Sequence, residues 1–283
     1  MRIRTLFILC VLLGLTSLAA QAYRPQFKDA QGTVRTYKSN MHMKGTSDVM
    51  GMTIPVDSTV TMTSLEKVLA KNAAAASTLS YTVKEGKVKA TVSVPGLDED
   101  ETVDQALPSF NMTYTRTPSG RVTSVKSTGQ LDPNMGQMTP IDIMSDYPGQ
   151  GLEFPNKELK VGDTWDGVQS FTLAGGATVH FKVKYTLTGV KDVNGASCLL
   201  VTSDINVKAN NLAVQLTGIG GNAAKVTVSM VITGTETMLF DQTAGEIAGT
   251  DSDLNIDVNM TSDSGEVPNI KMKLKMDGDM TRQ

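Results

Sequence analysis

Few residues in this 283-residue chain could do covalent or acid–base chemistry. The two histidines, His42 and His180, each sit in a stretch of alternating apolar and polar residues with no motif partner beside them. A Ser-His-Asp set would need one of them plus a nucleophile on a sharp turn, and no Gly-x-Ser-x-Gly elbow occurs. His-Glu-x-x-His, Cys-x-x-Cys and Gly-x-x-x-x-Gly-Lys-Ser/Thr are absent too, which removes the common zinc, redox and phosphate-cradling motifs. Cys198 lies in Ala196-Ser-Cys-Leu-Leu-Val201, which reads as a buried strand, so its thiol is expected to act as a small core hydrophobe. Asp251-Ser-Asp253-Leu-Asn255 begins like a calcium loop, but Ile256 replaces the required Gly and Ser262 falls where the bidentate Glu belongs. Asp98-Glu-Asp-Glu101 with Asp104 lacks that loop's spacing, and both clusters read as solvated surface. The expectation is no catalytic residue, no metal and no cofactor.

The elements that carry these residues are strands. Val34 to Met43, Val56 to Met62, Leu79 to Val83 and Val88 to Val94 alternate with the period of two of half-buried strands. Turn signals separate them at Met50-Gly51, Glu85-Gly86, Pro95-Gly96 and Pro118-Ser-Gly120. Leu65, Val68 and Asn72-Ala-Ala recur at the same spacing as Leu187, Val190 and Asn194-Gly-Ala. The Gly120 turn likewise has a counterpart at Gly245, which suggests a duplicated β-unit. Asn194-Gly195 is hairpin chemistry, and by analogy residues 64–76 read as strand, turn and strand, with a helix starting at Ser64 as the alternative. Short helices are expected over Thr139–Asp146 and, as an acidic turn or two, over Glu99–Leu107.

The organising stretch is Pro155-Asn-Lys-Glu-Leu-Lys-Val-Gly-Asp-Thr-Trp165. Gly162-Asp163 makes a turn, and Trp165, the only Trp, opens a strand as a structural anchor. The predicted organisation is a signal peptide over 1–22, a first β-half over 23–132, a connector with a short helix over 133–154 and a second β-half over 155–283. The fold class is all-β: two similar antiparallel halves of curved-sheet or half-barrel type, with one or two short helices. In the last hairpin, a centre near Ser264 sets Asp257 opposite Lys271, Asn255 opposite Lys273 and Asp253 opposite Lys275.

Arg2 and Arg4 precede an apolar run from Leu6 to Leu18, and Ala20-Gln21-Ala22 offers a small-x-small cleavage site, the pattern of a secretory leader. Cys10 lies inside that run, so the mature chain keeps one cysteine and no intramolecular disulfide. The apolar run is too short to span a bilayer as a helix, and the mature chain is expected to be periplasmic or extracellular rather than membrane-spanning. Removing the leader's two cations takes the net charge from −3 to −5, with no basic block to serve nucleic acid. Aromatics are sparse at 5%, which argues against a carbohydrate platform, while methionine is abundant at 16 residues. Met41, Met43, Met50, Met52 and Met62 cluster early and Met272, Met276 and Met280 late. They either fill gaps in the core or line an adaptable apolar surface.

A proline followed by Lys160-Val-Gly162-Asp-Thr-Trp165, then long strands with a central Asn-Gly turn, resembles a group of uncharacterised exported bacterial β-proteins. In architecture the chain is more distantly similar to the LolA-like lipoprotein carriers of the bacterial envelope. The resemblance implies a bent antiparallel sheet and carries no catalytic residues. The functional expectation is a non-enzymatic exported protein binding an apolar or amphipathic partner: a hydrophobic small molecule, a lipid or an envelope protein. The alternative is a structural or protein-interaction module with a filled core.

Overall fold

A computed structural model describes residues 21–92, 101–107, 109–127, 151–172, 178–217, 223–262 and 268–283. The strands are β1 (Val34–Val49), β2 (Met52–Lys71), β3 (Ser77–Val92), β4 (Glu101–Ala106), β5 (Phe110–Arg116), β6 (Val122–Ser127), β7 (Thr164–Thr172), β8 (Thr178–Val193), β9 (Ala196–Thr217), β10 (Ala223–Asp241), β11 (Glu246–Ser262) and β12 (Ile270–Arg282). They form one antiparallel sheet in the order β6-β5-β3-β2-β1-β12-β11-β10-β9-β8-β7, with β4 pairing on β3.

The all-β antiparallel expectation holds, but the described strands make one continuous sheet in which two similar halves are not evident. β1 and β12 pair along thirteen residues, from Tyr37 opposite Arg282 to Val49 opposite Ile270, so the two ends of the chain are stitched into a single sheet. Other expectations shift as well. Glu101–Ala106 is strand β4, with all six residues in register against Lys87–Val92 of β3, and not a helical turn. The helix expected over 139–146 and most of the 133–154 connector lie outside the described residues; of its described end, Leu152 and Phe154 are buried in the core. Residues 64–71 are strand and 72–76 the turn into β3, not helix: the Asn72 side chain accepts from the Ala74 and Ala76 amides at 3.0 Å each and closes the β2–β3 turn. The β11–β12 register is two residues from the expected one, with Asp257 opposite Lys273 and Asn255 opposite Lys275. Lys275 still reaches Asp253, diagonally, at 3.1 Å.

Period-two alternation sorts the side chains onto two faces. One face carries Met43, Met276, Leu254, Ile232 and Val207 in neighbouring strands, and the other carries Lys44, Lys275, Asn255, Thr233 and Asn206. The sheet curls so that the apolar face is inside. Two inner-face glycines mark where it is tightest. A Cβ on Gly45 would lie 1.9 Å from the Lys273 carbonyl oxygen, and one on Gly234 would lie 2.1 Å from that of Asp253. Only glycine lets neighbouring backbones approach that closely.

Candidate functional site

The inner face is covered unevenly. On β9–β11, Val207, Val214, Val228, Met230, Ile256 and Val258 are buried. At the central seam, by contrast, Met41, Met43, Leu254, Met272, Leu274 and Met276 are only half-buried. The β1/β12 register sets Met43 directly opposite Met276. The two methionine clusters, at opposite ends of the sequence, thus meet on one apolar strip.

One end of the curled sheet is plugged. The segment from Tyr23 alternates inward at Tyr23, Phe27 and Asp29, and residues 151–163 lie against it. Tyr23 and Leu159 exchange both backbone hydrogen bonds, at 2.7 and 2.8 Å. The Phe27 amide donates to the Pro118 carbonyl at 2.8 Å and the Lys28 amide to that of Gly245 at 2.9 Å. The Gly120 and Gly245 turns therefore hold the plug from both sides; a Cβ on Gly120 would meet the Leu152 carbonyl oxygen at 2.1 Å. Within the plug Phe27, Phe154 and Phe240 pack edge to face, with centroids 5.2 and 4.8 Å apart for Phe27–Phe240 and Phe154–Phe240. Trp165 stacks on Tyr185 at 5.5 Å, and its indole N–H donates to the Glu153 carbonyl at 2.8 Å. Ahead of it, the Gly162 amide donates to the Leu187 carbonyl at 2.7 Å, and Asp163 accepts from the Lys160 amide at 2.9 Å. At the other candidate turn, Asn194 and Gly195 both have positive φ, and the Gly195 amide donates to Asp192 at 3.0 Å.

Behind the aromatic plug lies a buried ion network that the sequence reading missed. Arg116 donates to Asp29 (Nη2–Oδ1, 2.8 Å) and to Glu66 (Nη2–Oε1, 3.2 Å), and its guanidinium lies 4.3 Å over the Phe27 ring. Arg35 bonds Glu66 at 2.6 Å, pairs with Asp29 at 3.1 Å and donates to Glu246. Arg282 donates to Glu246 and, at 3.3 Å, to Asp241. The Tyr114 hydroxyl completes the shell of Glu66. β-Bulges aim these groups: Glu66 sits between two irregularities of the β2/β3 ladder, and Arg116 sits at one in β5/β6. Both oxygens of Asp29, Glu66 and Glu246 accept from a neighbour, so the network's chemistry is neutralisation of charge. Its signal in the sequence is a charged residue at inward parity, as Arg35 is beside Tyr37 and Glu66 beside Val68.

The residues first weighed for catalysis lie elsewhere. His42 is on the outer face, its Nε2 2.9 Å from Asp57 and its Nδ1 3.6 Å from Asp277, with all three side chains substantially exposed. His180 is exposed on β8, and Cys198 is buried. Burial, and then the charge of Asp241, raise the Cys198 thiol pKa. No cluster of three or more metal-ligating side chains occurs among the described residues. A polar outer-face groove of about 580 Å³ runs beside Lys38, Thr61 and Asp279, and its lining does not include His42.

The plug gives the fold an alkaline limit. Burial holds the Tyr37 and Tyr185 hydroxyls well above the usual tyrosine range, with nearby Glu66 adding to the shift at Tyr37. Raised folded-state values mean that their stabilisation is complete below about pH 10 and is lost progressively as pH rises beyond it. The tyrosinate absorbance of these two residues is therefore expected to appear together with loss of near-ultraviolet dichroism. Their titration inside an intact fold would contradict the assignment.

No protein-family model and no curated protein matches the chain. Among solved structures, it is similar to a lipovitellin structure described for lipid–protein interactions, at 9% identity and a TM-score of 0.45 over 90% of this chain. The match spans about a quarter (25%) of the lipovitellin chain. The β-domain of the Bordetella autotransporter BrkA matches at 9% identity and a TM-score of 0.31, covering 87% of this chain and 99% of that one. The NalP translocator domain from Neisseria meningitidis matches at 13% identity and 0.29, covering 99% and 95%.

Proposed function

We propose that this is an exported, non-enzymatic β-protein that holds an apolar or amphipathic cell-envelope molecule against its inner face. The observation that carries the reading is the half-buried methionine strip at the β1/β12 seam. Flexible, polarizable side chains left partly uncovered on an otherwise buried face suit a ligand of variable shape, such as an acyl chain. The outer face supports work in water rather than in the bilayer. Lys271, Lys273 and Lys275 with Asp251, Asp253 and Asp257 point outward, and each lysine would cost about 2–4 kcal/mol at a membrane midplane.

The test is lipid extraction and mass spectrometry of the protein purified under non-denaturing conditions. Co-purifying lipid is expected, with a several-fold loss in Met276→Gln, a change that leaves the plug and its ion network untouched. A wild-type protein carrying no small molecule, with Met276→Gln as stable as wild type, would favour the structural or protein-interaction module instead.

A further inference from the structure

Between the plug and the methionine strip, one row of the inner face is polar. It runs Met41, Gly278, Ser252, Glu236, Ser203 and Tyr185, one residue per strand from β1 across β12, β11, β10 and β9 to β8. The next row toward the β1–β2 turn is apolar: Met43, Met276, Leu254, Gly234 and Ile205. Glu236 shares the parity of Met230, Ile232 and Met238, which puts it on the inner face. Its Oε2 lies 3.5 Å from the Ser203 hydroxyl. Burial raises the Tyr185 pKa and the charge of Glu236 adds to it, so the carboxylate is within electrostatic reach of that ring.

The surroundings of Glu236 are small and uncharged. Its cross-strand partners are Ser252 and Ser203, and beyond Ser252 comes Gly278. Its diagonal neighbours on the same face, Thr250, Leu254, Val201 and Ile205, carry no charge either. Glu236, Ser252 and Gly278 are half-buried like Met43 and Met276, so the polar row opens into the same interior as the strip. An inward carboxylate there has a desolvation cost that packing alone does not repay. The adjoining ion network adds to the negative potential, since Asp29, Glu66, Asp241 and Glu246 face only Arg35, Arg116 and Arg282. A protonated amine matches this setting: its N–H donors meet the carboxylate and the flanking hydroxyl oxygens, about 4.8 Å away per strand. An anionic head would meet like charge.

We infer that Glu236 receives the polar head of the bound amphipathic molecule, and that this head is a protonated amine whose chain lies along Met43 and Met276. The inference rests on the lipid-holding reading and adds to it the chemical class of the ligand's polar end. Titration calorimetry at neutral pH with decylammonium, decanoate and decanol, which share a chain and differ in head, tests it. Wild type is expected to bind decylammonium about tenfold more tightly than decanoate, a comparison that needs no variant. Glu236→Gln, nearly isosteric, is expected to lose about tenfold for decylammonium and nothing for decanol, whereas Met276→Gln weakens all three. Equal binding of the three heads by wild type, or unchanged decylammonium affinity in folded Glu236→Gln, overturns the head-group assignment and leaves the apolar strip as the ligand site. Binding of none of the three overturns the lipid-holding reading, and this inference with it.

Discussion

Arg116→Met is expected to destabilise the fold by about 3–5 kcal/mol, the cost of leaving a buried charge without its partner. Arg116 is 2% exposed, so solvent screening does little to soften the loss. The change removes bonds to Asp29 and Glu66 together, leaving Arg35 as the cation both carboxylates share. It also removes the cation seated over Phe27, and so loosens the plug where Asp29 and Phe27 face inward. Urea unfolding would read the loss, and proteolysis within residues 23–31 would show the segment released. Adding Glu66→Leu and Asp29→Leu to Arg116→Met should recover much of the stability, because an apolar replacement of the set no longer strands a charge. A single-variant loss under about 1 kcal/mol would mean that water reaches the network and that the burial argument fails.

Trp165→Ala carries the second large effect, about 3–5 kcal/mol, as for truncation of a buried aromatic. The indole is 8% exposed, stacked on Tyr185, within 6.0 Å of the Phe154 ring and hydrogen-bonded to a carbonyl of the plug. Its removal opens a hole at the point where β7 meets residues 151–154. Trp165→Phe keeps a ring against Tyr185 and strands only the Glu153 carbonyl, so its loss should be well below that of the Ala variant. Far-ultraviolet dichroism during urea unfolding measures both, since the variants lack the sole tryptophan as a probe. If Trp165→Ala keeps full stability but loses bound lipid, the residue belongs to a ligand site and not to the anchor.

What could be read in advance followed from local chemistry. Alternation at Val34–Met43 and Val56–Met62 marked strands because parity along a strand is set by the backbone alone. Asn194-Gly195 marked a hairpin because few residues accept two consecutive left-handed positions. The partner of each strand was less legible. Nothing in β1 names β12, and the pairing that joins Met43 to Met276 depends on how the whole sheet curls. The shift in the β11–β12 register has the same origin: moving by two residues keeps every side chain on its face, so patterning cannot distinguish the two registers. The ion network was not legible because Asp29 and Arg35 lie far in sequence from Glu66 and Arg116, and no local motif links them. Their inward parity was the available signal.

The pairing of β1 with β12 has a kinetic consequence. β1 finds its second neighbour only after β12, the last of the described strands, has been made, so the central ladder forms late. Loop closure over such a span is entropically unfavourable and slow, and sheets dominated by distant contacts fold in milliseconds to seconds or longer. Until that ladder closes, the inner edge of β1 is an unpaired strand bearing Met41 and Met43, open to other chains. The seam that gathers the methionines is thus also the last part of the protein to become safe from aggregation.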